Sequence, residues 1–526
     1  EQPVIYTPEA YQGMEGRLLP VYTLTTGITN NLMTKTIRQA LDDEALLLDY
    51  IPKEIRHQYQ LCEYNYAIKE IHFPDEMDSL IEARRRLVFD EFFDFILGMQ
   101  YQKERKNREE NAFDFKDDQF IWNLMKQLPY DLTGAQKRTL EEIVANIQGP
   151  YVMQRLIQGD VGSGKTVIAF LAMAWAAESG YQSAIMAPTE VLARQHYETF
   201  CSWCENFHLE YPVVLLTGSM TTKEKRLAYE KLEQMPNAMI IGTHALIQEK
   251  AVFTNLALVI TDEQHRFGVK QRDVFADKGN HPHILVMSAT PIPRTLAIII
   301  YGDMDISVID EVPAKRLPIK NCVVNTGYRP KAYEFIAEQI KLEHQAYIIC
   351  PLVEASESME GENVTDYARQ LAGQFSDDVK IGVLHGKMKN DKKNAVMEQF
   401  AKNEIQILVS TTVVEVGVNV PNATVMLIEN ADRFGLAQLH QLRGRVGRGD
   451  AQSYCIMVNA SSSKNAKRRL EILNKSNDGF FIASEDLKLR GPGDFFGIRQ
   501  SGDFAFELAD IYQDASELKQ ASEAVA

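Results

Sequence analysis

The chain of 526 residues and 59.7 kDa is long enough for about three to four domains at ~150 residues each. Its 45% hydrophobic and 24% charged residues exclude a disordered polymer, a collagen-like repeat and a small disulfide-rich scaffold. The net charge of −16 argues against a surface coated in positive charge for holding nucleic acid, but it is compatible with a local basic groove.

No segment reads as a membrane span or a signal peptide. The longest apolar run, at 167–177, falls well short of the ~20 residues that a span needs. The start lacks a basic flank followed by a hydrophobic block, and because it begins with Glu1 we expect a fragment or a processed product. Cys201 and Cys204 have CxxC spacing, but no second pair completes a zinc quartet, so we interpret them as buried thiols of a cytoplasmic protein.

The chain divides by its sequence pattern into four segments. Residues 1–112 are predicted to form an arm and a helical region, with apolar residues at helical spacing in 41–48 and 87–97. In 113–312 and again in 313–460, short β-rich runs alternate with helical stretches on either side of a proline-marked break. The pattern predicts two tandem α/β domains with parallel sheets, followed by helices and a glycine-rich segment in 461–526.

Eleven runs are predicted to be strands of these two sheets. They are 152–157, 183–187, 213–217, 239–242, 256–261 and 284–288 in the first domain, and 346–350, 380–384, 405–410, 424–429 and 453–458 in the second.

Residues 159–166 read GDVGSGKT and fit the phosphate-loop pattern GxxxxGK[ST] completely. A predicted strand precedes them and an apolar helix follows, so a chance glycine-rich turn is a poor explanation. In such a loop the backbone N–H groups and the helix N-terminus face the phosphates, the lysine reaches the β- and γ-phosphates, and the threonine ligates Mg²⁺. The predicted nucleotide-binding residues are Gly159, Asp160, Val161, Gly162, Ser163, Gly164, Lys165 and Thr166.

Two carboxylates follow the strand predicted at 256–261. Asp262 is placed to hold Mg²⁺ beside the phosphate loop, and Glu263 to orient and deprotonate an attacking water. An Asp-Glu pair alone is an ordinary helix start, but downstream of a complete phosphate loop it predicts ATP hydrolysis rather than binding alone.

A second cluster, QLRGRVGR at 441–448, places three arginines within six residues. A solvated basic helix is one reading. The other is that Arg445 and Arg448 reach the γ-phosphate across an interdomain cleft as arginine fingers, which would make hydrolysis depend on closure of the two domains.

Together these motifs resemble those of superfamily 2 helicases and translocases, and the resemblance implies two RecA-like motor domains. By it, Gln136 contacts the adenine edge, Gln441 belongs to the catalytic arginine motif, and Ser288, Thr290 and Glu415 couple hydrolysis to movement. The residues that the resemblance assigns to DNA phosphates are Thr189, Arg194, Thr217, Gly218 and Thr243.

Three longer stretches narrow the resemblance to the RecG family and to transcription-repair coupling factors. They are 262–269 with His265, 287–296, and 486–502, which resembles a translocation element made of a helical hairpin and a loop. By this resemblance Arg490, Arg499 and Gln500 are the working residues of that element. The N-terminal stretches 20–22, 71–74 and 83–87 resemble the RecG family and not the coupling factors.

The resemblance implies an ATP- and Mg²⁺-dependent translocase or helicase that remodels branched or forked DNA. We expect a monomer in the bacterial cytoplasm, associated with the nucleoid when bound to DNA and not with a membrane; contact with single-strand-binding protein cannot be derived from the sequence. The family's N-terminal OB-fold wedge is expected to end where this chain begins. The alternatives are a coupling-factor motor, a scaffold that binds ATP and DNA without turnover, and a small-molecule kinase with a phosphate loop.

Overall fold

The computed structural model describes residues 18–42, 47–105, 109–262, 278–289, 304–311, 317–350, 360–411, 420–490, 506–511 and 513–525, with Phe275 and Ala297. It divides into two compact units. The larger unit consists of residues 107–489, and the terminal unit combines residues 1–106 with residues 490–526.

The first sheet of the larger unit has seven parallel strands. They are β1 (Gln154–Gly159), β2 (Gln182–Met186), β3 (Val213–Leu216), β4 (Met239–Gly242), β5 (Leu256–Asp262), β6 (His283–Ser288) and β7 (Asp305–Ile309). Their order across the sheet is β3-β4-β2-β5-β6-β1-β7. The central strands are buried along nearly their whole length, as expected for a parallel sheet covered by helices on both faces.

The second sheet has six parallel strands in the order β10-β11-β9-β12-β13-β8. They are β8 (Lys320–Asn325), β9 (Gln345–Ile349), β10 (Ile381–Leu384), β11 (Ile407–Ser410), β12 (Ala423–Ile428) and β13 (Tyr454–Asn459). Two tandem parallel sheets, the predicted fold class, are thereby confirmed.

Helices connect the strands and cover the sheets. In the larger unit they are α5 (Gln119–Lys126), α6 (Gly134–Ile147), α7 (Lys165–Glu178), α8 (Glu190–Asn206), α9 (Thr222–Gln234), α10 (Arg329–Lys341), α11 (Glu360–Ala372), α12 (Asn390–Ala401), α13 (Leu436–Arg443), α14 (Lys464–Lys475) and α15 (Gly479–Arg490). α7 is buried from Val167 to Ala177, because it lies in the main core of the first sheet domain. Among the described helices, none combines the length and apolar character that crossing a bilayer requires.

The predicted strands match the observed ones to within a few residues, but two strands were not predicted. These are β7 and β8, the edge strands on either side of the proline-marked break. Their burial explains the omission: β8 has exposed ends and half-buried residues between them, and three of the five residues of β7 are half-buried. Neither strand carries the uninterrupted apolar run of the central strands.

The terminal unit contains α1 (Asn30–Asp42), α2 (Lys53–Gln58), α3 (Tyr64–His72), α4 (Met77–Arg105) and α16 (Ala515–Val525). α4 includes the predicted helical stretch 87–97. The same prediction was wrong for Leu47 and Leu48, which are exposed and lie outside any helix.

Three consecutive arginines of α4 hold the terminal unit together. Arg86 is fully buried and donates to both carboxylate oxygens of Asp49, at 3.0 and 2.7 Å. Arg84 forms a two-pronged bond with Asp514, at 2.6 and 2.8 Å, which ties α4 to the segment before α16. Within this unit, the arginines of the stretch 83–87 act as structural ties.

All six cysteines are free thiols. Cys204 is buried and Cys201 half-buried on α8, and burial raises the pKa of Cys204 to about 12. No cluster of three or more potential metal ligands occurs among the described His, Cys, Asp and Glu residues.

Candidate nucleotide and nucleic-acid site

The phosphate loop connects the end of β1 to the start of α7. Gly162 and Gly164 have φ angles of 78° and 85°, in the left-handed region that favours glycine, and Gly164 caps the helix. This turn leaves the first N–H groups of α7 at the mouth of the loop, where a helix attracts anions. Lys165 is buried, and its Nζ donates to the carbonyls of Gly159 at 2.7 Å and Asp160 at 2.9 Å.

Gln136 packs directly against the phosphate loop. Its side-chain oxygen accepts from the amide of Thr133 at 2.8 Å as half of a capping box that starts α6. Its Nε2 donates to the carbonyl of Ser163 at 2.8 Å, and a Cβ on Gly164 would lie only 2.1 Å from this nitrogen. Gln136 therefore braces the loop in this structure, and its contact with an adenine edge stays a prediction.

The carboxylate of Asp262 lies at the carboxyl end of β5. In the sheet, β6 separates this strand from β1, whose carboxyl end leads into the phosphate loop. Its Oδ2 is 3.1 Å from Nε2 of the buried His196 on α8. Thr166 is in the first turn of α7. A hydroxyl and a carboxylate are the hard oxygen ligands that Mg²⁺ prefers, and Mg²⁺ commonly completes its shell with substrate phosphates and water. The donor set fits the predicted metal, while Glu263 and His265 lie outside the described residues.

The residues predicted to contact DNA follow the carboxyl ends of β2, β3 and β4 in the same sheet. Thr189 caps α8 by accepting from the amide of Leu192 at 3.3 Å, and Arg194 is exposed on the same helix. Gly218 is exposed after β3, and the amide of the next residue donates to Glu190 at 2.7 Å. The loops after β2 and β3 are thus tied to each other.

Thr217 and Thr243 follow β3 and β4, but both are buried. Their hydroxyl oxygens have no hydrogen-bond partner among the described residues. Their contact with DNA phosphates stays a prediction. Ser288, at the end of β6, is also buried and pairs in register with Gln158 of β1, while Thr290 and Glu415 lie outside the described residues.

The arginine segment, residues 441–448, begins on α13 and turns back at Gly444. Arg443 is buried, and its NH1 donates to the carbonyls of Leu473 at 3.0 Å and Ser476 at 2.7 Å. Arg445 is also buried, whereas Arg448 and Gln441 are half-buried. The Nε of Arg448 donates to the carbonyl of Gly444 at 3.1 Å.

The arginine segment packs directly on the phosphate loop. A Cβ on Gly444 would come within 2.9 Å of the Cβ of Val161, so only glycine fits there. Just before the segment, Nε2 of His440 lies 2.6 Å from Oδ1 of Asp160. The two sheet domains therefore meet at the predicted nucleotide site.

Comparison with known proteins shows to which family the chain belongs. Family models match at residues 133–299 (DEAD/DEAH box helicase), 331–450 (helicase conserved C-terminal domain) and 476–526 (ATP-dependent DNA helicase RecG, domain 3, C-terminal). The ATP-dependent DNA helicase RecG of Bacillus subtilis is 46% identical over 504 residues, which are 95% of this chain and 74% of that protein. The chain belongs to the RecG family of ATP-dependent DNA helicases.

Other RecG proteins also match nearly the whole of this chain over only part of their own length. The RecG of Synechocystis sp. is 48% identical over 511 residues, and the match covers 97% of this chain but only 61% of that protein. This chain thus spans less than two thirds of that relative. A solved structure of RecG bound to a three-way DNA junction matches 96% of this chain and 67% of that chain, with a TM-score of 0.70 and 39% identity.

More distant structures share the fold alone. Mss116p bound to ssRNA and AMP-PNP has a TM-score of 0.53 at 20% identity, over 78% of this chain and 89% of that chain. Within the RecG family model at 476–526, Arg490 ends α15, while Arg499 and Gln500 lie outside the described residues.

The sequence did not single out His440, which pairs with Asp160. It also did not predict the structural role of Arg443. The signal for His440 was its position immediately before the arginine segment, at the end of a helix that also carries Gln441. Nothing in the sequence separates Arg443 from Arg445 and Arg448, because the three differ only in what they pack against.

Proposed function

We propose that this chain hydrolyses ATP to translocate on double-stranded DNA and so remodels branched DNA, such as stalled forks and Holliday junctions, in recombination and repair. The observation that carries the proposal is the direct packing of Gly444 on Val161, which joins the arginine segment of one sheet domain to the phosphate loop of the other. A binding site for ATP alone has no need of a second sheet domain. A motor does, because closing and opening of two domains converts hydrolysis into displacement.

In this proposal Lys165 and the amides of the phosphate loop hold the phosphates of ATP. Thr166 and Asp262 hold Mg²⁺, which when bound neutralises charge on the β- and γ-phosphates. Glu263 accepts a proton from the attacking water. Arg445 and Arg448, with Gln441 beside them, stabilise the negative charge that develops on the transferred phosphoryl group.

The DNA-binding half of the site lies along the same sheet edge. Arg194 and the loops that contain Thr189 and Gly218 are proposed to contact the phosphate backbone, through side chains and backbone N–H groups alike. Such contacts need only a narrow track, which is compatible with a net charge of −16. Arg490, Arg499 and Gln500 are proposed to transmit domain movement to the duplex.

We further propose that the chain acts as a monomer in the cytoplasm and associates with the nucleoid through DNA. One alternative from the sequence remains an outcome of the test, a scaffold that binds ATP and DNA without turnover. The RecG relatives do not favour the other, a coupling-factor motor.

The decisive experiment compares ATP turnover without DNA, with single strands, with linear duplex and with forked duplex, under matched salt. We expect duplex and forks to stimulate turnover, and forks to do so most. Glu263→Gln is the matched control, because it should bind nucleotide normally and lose turnover. Nucleotide binding by the wild-type chain without turnover on any DNA would support the scaffold and refute the motor. Near-normal turnover by Glu263→Gln would remove Glu263 as the base.

A further inference from the structure

His440 contacts the phosphate loop from the other sheet domain. It lies on α13, it is 5% exposed, and its Nε2 is 2.6 Å from Oδ1 of Asp160, the second residue of the loop. The same carboxylate oxygen of Asp160 also accepts from the amide of Val161 at 2.6 Å, so His440 adds a contact from the second sheet domain to one made within the loop.

Arg443 fixes which nitrogen of His440 carries the proton. Its NH2 lies 2.8 Å from Nδ1 of His440. Because a guanidinium can only donate, this Nδ1 must accept, and the ring proton must be on Nε2. His440 therefore donates to Asp160. The guanidinium is itself held by the carbonyls of Leu473 and Ser476, so it cannot follow the imidazole if the ring turns.

Asp160 is an ionised and constrained acceptor. Burial by itself would raise the pKa of its carboxyl group, but the hydrogen bond from His440, the Val161 amide and the charge of Lys165 together hold this pKa below its ordinary value. The carbonyl of the same residue accepts from Nζ of Lys165 at 2.9 Å. The orientation of Asp160 thus sets both the peptide 160–161 and one contact of the lysine that the phosphates need.

We propose that His440 is a positioning residue, oriented by Arg443, which holds the phosphate loop through Asp160 and so lets the second sheet domain set the loop's affinity for nucleotide. The inference rests on the proposed ATP site at residues 159–166. Its expected consequence is that His440 affects nucleotide binding, although it lies about 280 residues from the loop in sequence.

The test is a double-mutant cycle with His440→Ala, Asp160→Ala and the double variant, read as the dissociation constant of a fluorescent ADP analogue. Each single variant should bind about tenfold more weakly, the scale of a hydrogen bond to a charged group. The double variant should bind no more weakly than Asp160→Ala alone, because the loss of His440 has no further effect once its partner carboxylate is gone. His440→Gln, which can present an N–H near the position of Nε2, should restore most of the affinity.

His344→Ala is the matched control, since His344 is a half-buried histidine of the same sheet domain whose Nδ1 is 3.4 Å from Asn422. It should bind nucleotide as the wild type does. If His440→Ala does not fold, His440→Gln and Asp160→Ala carry the test by the same readout. Native affinity in Asp160→Ala, or losses that multiply in the double variant, would overturn the proposal. Because the readout is binding, the proposal and the ATPase motor can fail separately.

Discussion

The phosphate loop and the arginine segment meet at one site but are built in opposite ways. The loop works mainly through its backbone: two glycines with positive φ angles turn the chain so that helix N–H groups face outward. The arginine segment consists of side chains in different surroundings, since Arg443 and Arg448 donate to different carbonyls. One is buried against the carbonyls of α14 and Ser476, while Arg448 is half-buried and bonded to its own turn.

A sequence motif can therefore reveal the backbone conformation of the loop, whereas only packing decides the role of each arginine. A backbone device needs glycine at fixed spacing, so the sequence alone predicts it. An arginine is equally suited to a buried tie or to a phosphate contact, so a cluster of arginines predicts basic chemistry without assigning it. The following variants test whether the loop and the arginine segment have these different roles.

The largest effect is expected in the loop. Lys165→Ala should reduce ATP turnover to the background of the assay and also weaken nucleotide binding, because the lysine is proposed to hold phosphates in the ground state and the transition state alike. Both quantities should be measured, by steady-state hydrolysis and by titration with a fluorescent nucleotide. Native turnover in this variant would remove the loop from the reaction.

Arg448→Ala should lower kcat by ~10³-fold, the scale of an arginine finger, with nucleotide affinity nearly unchanged. The contrast with Lys165→Ala is the point, since a finger acts only on charge that develops during the reaction. Parallel measurements of kcat and the dissociation constant separate the two residues. An unchanged kcat would exclude Arg448 as an arginine finger.

Arg443→Met should lower the stability of the folded protein and not only the rate of the reaction. It deprives the carbonyls of Leu473 and Ser476 of a donor, and we expect the free energy of unfolding to fall by about 2–4 kcal/mol. Arg369→Met is the control, because the side chain of Arg369 is 75% exposed and pairs with Asp366 on the surface. Urea denaturation of both variants checks the difference; equal stabilities would contradict the structural role of Arg443.

The smallest effect concerns the amino end of the first sheet, opposite the site. The Nδ1 of the buried His283 accepts from the amide of Met153 at 2.9 Å, and burial lowers the pKa of this histidine to about 4. In the unfolded chain its pKa is ~6.5, so the unfolded state binds a proton first as the pH falls. Stability should therefore drop between pH 7 and pH 5, by about 2 kcal/mol from this group.

His283→Asn keeps an acceptor for Met153 but cannot titrate, so its unfolding free energy should depend less on pH in this window. Denaturation curves at pH 7 and pH 5 for the two proteins give the comparison. An identical pH dependence in both would show that His283 does not contribute.

Much of the fold could be predicted from the sequence because central parallel strands are uninterrupted apolar runs. The edge strands β7 and β8 were missed because partial exposure leaves them without that signature. Leu47 and Leu48 were assigned to a helix on spacing alone, which says nothing about whether a neighbouring element covers them.

At the site, the glycine and lysine spacing identified the phosphate loop, while the bracing by Gln136 and the contact between His440 and Asp160 could not be predicted. Gln136 is 27 residues from its partner Ser163, and His440 lies 280 residues from Asp160. The position of His440 beside the arginine segment marks it as a candidate, but which residue it contacts is set by how the domains fold and pack.

The central claim is that hydrolysis at the joined site moves DNA. The most direct measurement follows ATP turnover and strand separation of a forked DNA in one reaction, for the wild-type chain and for Arg499→Ala. The wild-type chain should separate strands only with hydrolysable ATP, and the variant should lose far more strand separation than turnover. Parallel decline of the two activities, or strand separation by the wild-type chain without hydrolysis, would contradict the account.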